Sequence, residues 1–383
     1  MISTGESAPQ IFECTLRDGS YAVDFAFTAE YTATVVKALA ELGFPYIEVG
    51  HGVGIGAHTR GIEAAASDLE YARAAASNAG EQLWGMFAIP GMADVHEVEA
   101  VLAEGAGFMR VGLDPDRFDE GLRFIEKVNW GDTKVFVNFM KSHALSPDEM
   151  GARVRLLEAA GVDGAYLVDS SGGMLPIEIR DRADAMRSAS DFLLGFHGHD
   201  NLGLATAHAL SVADCGFDII DATLQGLGRS AGNTSSERFI GLMTRLGWQH
   251  DYDLISVLKA GQELVRPQIP QAGYSGLDTL SGVYFFHTSF LPQLVEVGER
   301  YGVDPHLLMQ GHYEMRQTTP EVSLDQAAVA LGGQERELGE LYSAERYFGV
   351  PETGSPSGSR PASMRASQAR RVSPAQPAAA GGS

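Results

Sequence analysis

The chain has 383 residues with 44% hydrophobic content, and its 50 acidic and 28 basic residues give a formal net charge of −22. This length can bury a large core, but so acidic a chain argues against nucleic acid as a partner, because phosphate binding requires a basic surface. No apolar run approaches the roughly 18 residues of a membrane span, and the two cysteines, Cys14 and Cys215, form no metal-binding spacing, so we expect a cytoplasmic protein without a membrane segment or disulfide framework.

Eight short runs rich in Val, Ile, Phe and Leu alternate with longer segments of helical periodicity. Their length and composition predict β-strands. The runs are IFECTL (11–16), YIEVG (46–50), LWGMFAI (83–89), FMRVGL (108–113), VFVNFM (135–140), AYLVD (165–169), LLGFH (193–197) and DIIDATL (218–224).

Helices are predicted between these runs, for example over 29–43 and 146–161, and an eighth over 234–246. The clearest signals surround the 146–161 segment. Ser146 can cap its start, Pro147 suits the first helical position, Glu149 completes a capping box and Gly161 ends the helix.

Eight strands with helices between them predict an α/β fold, a (β/α)8 TIM barrel over residues 9–248. A doubly wound open sheet is the alternative, although it usually has fewer strands, and the first strand is not followed by a GxGxxG turn. Residues 249–346 predict a helical extension at the carboxyl end. Residues 347–383 are rich in Pro, Ser, Ala, Gly and Arg, which predicts a disordered tail, or alternatively a regulatory or partner-binding one.

Polar and ionisable residues gather where the predicted strands end. In a TIM barrel these ends meet at one rim, which carries the active site. The stretches are TLRDG (15–19), EVGHG (48–52), DSSG (169–172), HGHDN (197–201) and QGLGRSAGN (225–233). Their coincidence at a single rim favours a catalytic site over scattered surface residues.

His197 and His199 are two residues apart, so on a strand they point to the same side. Alone, the pair could equally be two solvent-facing histidines. Together with Asp18 they form a carboxylate–imidazole set that suits a divalent ion such as Mn²⁺, Mg²⁺, Co²⁺ or Zn²⁺. Asn233 could add an amide oxygen, or it could be a turn residue in its glycine-rich loop.

Arg17 precedes Asp18 and places a fixed cation beside the predicted metal site. A guanidinium there could hold a carboxylate and stabilise an enolate oxygen, while the alternative is a surface ion pair. Cys14 lies deeper in the first strand, and we interpret it as filling the barrel.

Five motifs in this order resemble the DRE-TIM metallolyase superfamily, the HMG-CoA lyase-like group with a pyruvate carboxyltransferase domain. Within it the chain is most similar to 4-hydroxy-2-oxovalerate aldolases, from about residue 11 to about residue 340. The motifs are TLRDG (15–19), EVGHG (48–52), VDSSGGM (168–174), FHGHDNLGLA (196–205) and DATLQGLGRSAGN (221–233).

The resemblance implies a class II aldolase in which a divalent metal, usually Mn²⁺, binds the two oxygens of a 2-oxo acid such as pyruvate. Asp18, His197 and His199 match the metal ligands, and Arg17 matches the residue that holds the enolate oxygen.

Ser170 and Tyr284 match substrate-contacting positions, and His197 also lies next to the substrate in this scheme. The family often passes its aldehyde to an acylating aldehyde dehydrogenase. We therefore expect a small 2-oxo acid substrate and a homo- or hetero-oligomer.

One departure affects the chemistry. The aldolases carry a histidine as general base two residues after the glycine of the first loop, and Tyr21 occupies that position here. Three alternatives follow: Tyr21 acts with a shifted pKa, a metal-bound water removes the proton, or His51 replaces the histidine.

Other functions are less well matched. Condensing synthases that use acyl-CoA usually read RDGEQ where this chain reads RDGSY, and HMG-CoA lyases carry a cysteine in the loop that here reads GLGRSAGN. An amidohydrolase would have its HxH motif on the first strand. A non-catalytic, metal-binding partner subunit is the remaining alternative, and Tyr21 is the residue that favours it.

Overall fold

The computed structural model describes residues 8–269 and 276–334. Eight parallel strands pair in chain order and close into a barrel, because the first strand also pairs with the eighth. The predicted (β/α)8 barrel is confirmed. The strands are β1 (Gln10–Glu13), β2 (Tyr46–Glu48), β3 (Leu83–Ala88), β4 (Phe108–Leu113), β5 (Lys134–Phe139), β6 (Gly164–Asp169), β7 (Leu193–Gly198) and β8 (Ile219–Ala222).

One helix follows each strand, and further helices extend beyond the barrel. The barrel helices are α1 (Ala29–Glu41), α2 (Asp68–Ala76), α3 (Val95–Ala103), α4 (Phe118–Lys127), α5 (Pro147–Ala159), α6 (Pro176–Ala189), α7 (Ala205–Asp214) and α8 (Ser236–Leu246). The later helices are α9 (Leu254–Ala260), α10 (Gly276–Val283), α11 (Leu291–Tyr301), α12 (Pro305–Arg316) and α13 (Leu324–Ala330). No helix in the described ranges has the length and apolar character needed to cross a membrane.

The start of α5 illustrates how local chemistry sets the elements. The Ser146 hydroxyl accepts the Glu149 N–H, the Glu149 carboxylate accepts the Ser146 N–H, and Pro147 occupies the first turn. This confirms the predicted capping box. Met150 and Val154 then recur on the face that packs against the barrel and are fully buried.

The lower half of the barrel interior is filled by a layer that we call the aromatic layer. Alternate residues of the strands supply it, since side chains two apart on a strand share a face. Cys14 lies within it, as predicted. Its members are Phe12, Cys14, Tyr46, Phe108, Phe136, Tyr166, Val168 and Ile219.

Helices α10–α13 pack around a second apolar core that includes Leu294 and Leu308. The segment containing α10 contacts the barrel rim closely, since a Cβ on Gly173 would lie 2.1 Å from the carbonyl oxygen of Gly282. The segment therefore forms part of the wall at the carboxyl ends of the strands. The predicted domain limits at 248 and 346 remain predictions, and the 347–383 tail lies outside the described residues.

Candidate active site

The first and seventh strands bring the predicted metal ligands together. After β1 the chain turns tightly, because the Cys14 carbonyl accepts the N–H groups of both Arg17 and Asp18, at 3.1 and 2.9 Å. Ligand atoms of Asp18, His197 and His199 all lie within 4.8 Å of one another, and all three residues are buried. The distance from Asp18 Oδ2 to His197 Nε2 is 3.8 Å.

Both histidines are oriented through their Nδ1 atoms. His197 Nδ1 lies 2.8 Å from Asp221 Oδ2, and His199 Nδ1 lies 3.3 Å from the Gly232 carbonyl. Since each partner only accepts, each Nδ1 carries a proton, and in the neutral imidazole each Nε2 presents a lone pair to the site. A carboxylate or carbonyl behind the imidazole is the usual arrangement for metal-binding histidines.

Asn233 completes the cluster from the loop after β8. It pairs with His199 in a short antiparallel bridge, and its side-chain nitrogen donates to Asp18 Oδ2 at 2.5 Å. Its Oδ1 atom is buried and has no hydrogen-bond partner within the described residues. An unpartnered amide oxygen beside a carboxylate and two imidazole lone pairs fits a divalent cation of mixed N/O preference.

The electrostatics agree with this donor set. Burial alone would raise the pKa of Asp18, but Arg17 and then the two histidines outweigh it and hold that pKa well below its usual range. Burial, reinforced by Arg229, lowers the pKa of His199 well below its ordinary value. The site therefore presents an ionised carboxylate and a neutral imidazole, the forms that bind metals.

A buried chain of ion pairs begins at Asp18. Arg17 donates through Nη1 to Asp18 at 2.8 Å and through Nε to Glu48 at 2.7 Å. Its guanidinium also lies over the Phe87 ring, 4.9 Å from the centroid. Arg17 is therefore held in a fixed position beside the predicted metal ligands rather than in a surface ion pair.

The chain continues through Arg110, which is fully buried inside the barrel. Arg110 lies 3.5 Å from Glu48 and 2.6 Å from Asp221, and Asp221 contacts the predicted ligand His197. We call Arg17, Asp18, Glu48, Arg110 and Asp221 the charged layer. It has three carboxylates and two guanidiniums, an excess of one negative charge that suits a bound cation.

With this geometry established, comparison with known proteins decides the family. The HMGL-like family description matches residues 8–264 of the chain. The chain belongs to the HMGL-like family, the DRE-TIM lyases. The predicted resemblance is confirmed.

Two curated relatives of this HMGL-like chain carry different activities in their names. An oxaloacetate decarboxylase of Mycobacterium tuberculosis is 35% identical over 71% of this chain and 84% of its own. A 4-hydroxy-2-oxovalerate aldolase of Geobacillus genomosp. 3 is 32% identical over 79% of this chain and 91% of its own. The HMG-CoA lyase structure from Brucella melitensis, 16% identical, covers 69% of this chain and all of its own with a TM-score of 0.58, which shows the shared fold.

Tyr21 and His51 lie on either side of Phe25 in this HMGL-like protein. Phe25 is 5.1 Å from the Tyr21 ring and 4.0 Å from the His51 ring, centroid to centroid. Burial raises the pKa of Tyr21, so its hydroxyl is protonated at neutral pH. Burial lowers the pKa of His51 to about 4, but its Nδ1 lone pair already accepts the Val53 N–H at 3.0 Å.

The two predicted substrate contacts occupy different surroundings. Ser170 is buried at the rim, where its hydroxyl accepts the Lys141 N–H at 2.9 Å. Tyr284 packs against the core of the helical extension, and its ring lies 5.1 Å from that of Tyr313. Ser170 therefore lies in the loops around Asp18, His197 and His199, whereas the Tyr284 ring lies among the helices of the extension, and both remain predicted substrate contacts.

Sequence reasoning assigned no role to Arg229, although it names the loop that contains it. The guanidinium lies 3.3 Å from His199 Nε2 and donates to the Ser170 carbonyl at 3.0 Å. It also lies over the Tyr21 ring, 5.7 Å from the centroid. The sequence signal that could have identified Arg229 is a single arginine within a loop of small residues at the barrel rim.

Proposed function

We propose that this protein is a divalent-metal-dependent aldolase that cleaves a 4-hydroxy-2-oxo acid to pyruvate and an aldehyde, or catalyses the reverse condensation. The observation that carries the proposal is the convergence of Asp18, His197 and His199, with both Nε2 lone pairs directed into the site. Relatives named 4-hydroxy-2-oxovalerate aldolase support the substrate class. An acylating aldehyde dehydrogenase partner and an oligomeric state remain predictions.

Asp18, His197 and His199 would hold the metal, most suitably Mn²⁺, with Asn233 as a further ligand. The metal would act as a Lewis acid toward the oxygens of the 2-oxo acid. Arg17 donates two of its five N–H groups to Asp18 and Glu48. The others can donate to the oxygen that becomes the enolate oxygen.

Tyr21 is suited to proton donation rather than to proton removal, because its raised pKa keeps the hydroxyl protonated. In condensation, C3 of the pyruvate enolate attacks the aldehyde carbon, and the new C4 alkoxide takes the Tyr21 proton, which water then restores. In cleavage these transfers reverse: water takes the Tyr21 proton, the Tyr21 oxygen then takes the C4 hydroxyl proton as the C3–C4 electron pair forms the enolate, and water protonates C3.

The test is enolate formation itself. Protein loaded with Mn²⁺ and given pyruvate in D₂O should exchange the C3 protons, which disappear from the proton NMR spectrum. With a panel of aldehydes, a condensation product should accumulate. If neither exchange nor any product exceeds the rate with Mn²⁺ alone, the aldolase proposal is wrong.

Decarboxylation of a 2-oxo diacid such as oxaloacetate is a second candidate. Loss of CO₂ from C4 leaves the same pyruvate enolate and needs a proton donor at C3 but no base, which agrees with a protonated Tyr21. A relative named oxaloacetate decarboxylase supports it. Pyruvate and CO₂ should form from oxaloacetate well above the rate with free Mn²⁺, and a rate equal to that background would exclude this reaction.

A further inference from the structure

Arg229 differs from the other arginines of the site in its partners. Its hydrogen bonds go to three neutral acceptors, His287 Nε2 at 2.9 Å, the Ser170 carbonyl at 3.0 Å and His199 Nε2 at 3.3 Å. Across residues 8–269 and 276–334, no carboxylate oxygen lies within 4.0 Å of its guanidinium nitrogens. Arg17 and Arg110, by contrast, each contact two carboxylates.

The guanidinium also has unused donors. Arg229 Nε is buried and makes no hydrogen bond within the described part of the chain. The Nε2 atom of His199 has one lone pair, so it cannot serve both a metal and Arg229. The charge of Asp18 acts on Arg229 without direct contact, so a half-buried guanidinium with a donor lacking an acceptor favours a further anion that it can contact.

The loop holds Arg229 in place from two directions. Its neighbour Ser230 has a φ of 60° and donates to the Asp278 carboxylate in α10 at 2.6 Å. His287, which follows α10 in the helical extension, meets the Nη1 end of the guanidinium. A left-handed non-glycine residue beside a site is a strained conformation that the surrounding contacts must maintain.

The position of Arg229 indicates which part of a substrate it would meet. Arg17, which in the proposed function holds the enolate oxygen, donates to Asp18, whereas Arg229 approaches the site beside His199. Arg229 lies over the Tyr21 ring, beside the group suited to protonate the reacting end of the substrate. An anion at Arg229 is therefore carried by the other end of the substrate.

We propose that Arg229 binds a second carboxylate, so that the preferred substrates are 2-oxo acids with a carboxylate at each end. These are oxaloacetate, or the aldol products of pyruvate with aldehydes that carry a carboxylate. The inference rests on the proposed function for the identity of the 2-oxo acid end. It assigns Arg229 to binding and specificity and gives it no covalent role.

Binding of matched ligands tests the proposal without turnover. 2-Oxoglutarate and 2-oxopentanoate have five carbons each and differ in the terminal carboxylate. Isothermal titration of the Mn²⁺-loaded full chain should show at least a tenfold lower Kd for 2-oxoglutarate, the range expected for a charge-assisted pair. Arg229→Met should abolish this ratio, and Arg229→Lys should retain part of it.

Arg187→Met is the matched control, because Arg187 is also half-buried but pairs with Asp218 at the opposite end of the barrel. It should keep the wild-type ratio. A wild type that binds both ligands equally overturns the proposal, and so does an Arg229→Met protein that keeps the preference. An equal loss of affinity for both ligands in Arg229→Met would mean that Arg229 binds the carboxylate next to the 2-oxo group, which both ligands carry. That result would also overturn the proposal.

Kinetics with the wild type and Arg229→Met give an independent check. The ratio of kcat/KM for pyruvate with glyoxylate to that with acetaldehyde should fall at least tenfold in the variant, while an unchanged ratio contradicts the proposal. Decarboxylation of oxaloacetate, measured separately, shows whether oxaloacetate or an aldol product of pyruvate with a carboxylate-bearing aldehyde is the better substrate. If the wild type fails to exchange the pyruvate protons but prefers 2-oxoglutarate, the proposed function is wrong and the anion site stands.

Discussion

Two layers fill the barrel interior, and they are held together by different interactions. The aromatic layer is built from rings such as Phe12, Phe108 and Tyr166, with Phe12 lying 4.6 Å from Phe108 and 6.0 Å from Tyr166. The charged layer lies against it, since the Arg110 guanidinium is 4.5 Å from the Phe12 centroid and 4.4 Å from that of Tyr166. Strands β2, β4 and β8 each supply a member to both layers.

The layers should differ in how they respond to substitution. Ring contacts in the aromatic layer are shared among several neighbours, so the loss of one methyl group is spread over many weak contacts. In the charged layer each ion has one or two charged partners, and removal of either guanidinium leaves buried carboxylates uncompensated. We infer that a layer so costly to bury serves the predicted metal ligands, which it contacts through Asp18 and Asp221.

The largest effect is expected at the carboxylate of the predicted metal site. Asp18→Asn removes the ionised ligand and leaves Arg17 with one carboxylate partner. We expect metal affinity to fall by more than about a hundredfold, beyond the range seen when residues behind a ligand are changed. Pyruvate proton exchange should be lost with it, and metal content after dialysis measures the first effect.

Asp200→Asn is the control for that change. Asp200 adjoins His199 in sequence, but its carboxylate accepts the Ala205 N–H at the start of α7, a bond that an asparagine oxygen can replace. This variant should bind metal like the wild type. If Asp18→Asn retains a full equivalent of tightly bound metal, the cluster is not the metal site.

A direct test of the two layers compares Arg110→Met with Ile219→Val. The Arg110→Met change removes one ion-pair partner from Glu48 and one from Asp221. It should lower the free energy of unfolding by about 3–5 kcal/mol. Shortening Ile219 in the aromatic layer should cost only about 0.5–1.5 kcal/mol. Urea titrations of both variants provide the values, and similar losses in the two would remove the distinction between the layers.

A smaller effect is expected where the charged layer supports a ligand from behind. Asp221→Asn keeps the shape of the side chain but weakens its hold on His197 Nδ1. Metal affinity should fall about tenfold to a hundredfold. An unchanged metal affinity in Asp221→Asn would mean that packing alone orients the His197 imidazole. A pH titration of metal binding would confirm that result.

The sequence predicted what depends on local or repeating patterns. Hydrophobic runs located all eight strands, and the capping chemistry of Ser146 located the start of α5, because both signals lie within a few residues. The i, i+2 spacing of His197 and His199 predicted their shared direction. Asp18 joined them because the closed barrel brings its first and seventh strands to one rim.

Contacts between distant parts of the chain were not predictable in the same way. Arg110 stands within the apolar run of β4, and the sequence analysis assigned it no role, because its partners Glu48 and Asp221 lie on other strands. The bond from Arg229 to His287 joins residues 58 positions apart and depends on how the extension packs on the rim. No local pattern encodes that packing.

Tyr21 is an aromatic residue on which two members of the charged layer, Asp18 and Arg17, act electrostatically. If Tyr21 only fills space, Tyr21→Phe should leave the rate of condensation unchanged. If Tyr21 donates a proton, the variant should lose at least tenfold in that rate. Because burial raises its pKa, the hydroxyl is protonated from pH 6 to 9, so the wild-type rate should not rise with pH through this group. A phenolate base would instead give a tenfold rise per pH unit that the Phe variant lacks. Near-unchanged turnover in Tyr21→Phe would move the proton transfer to His51 or to water.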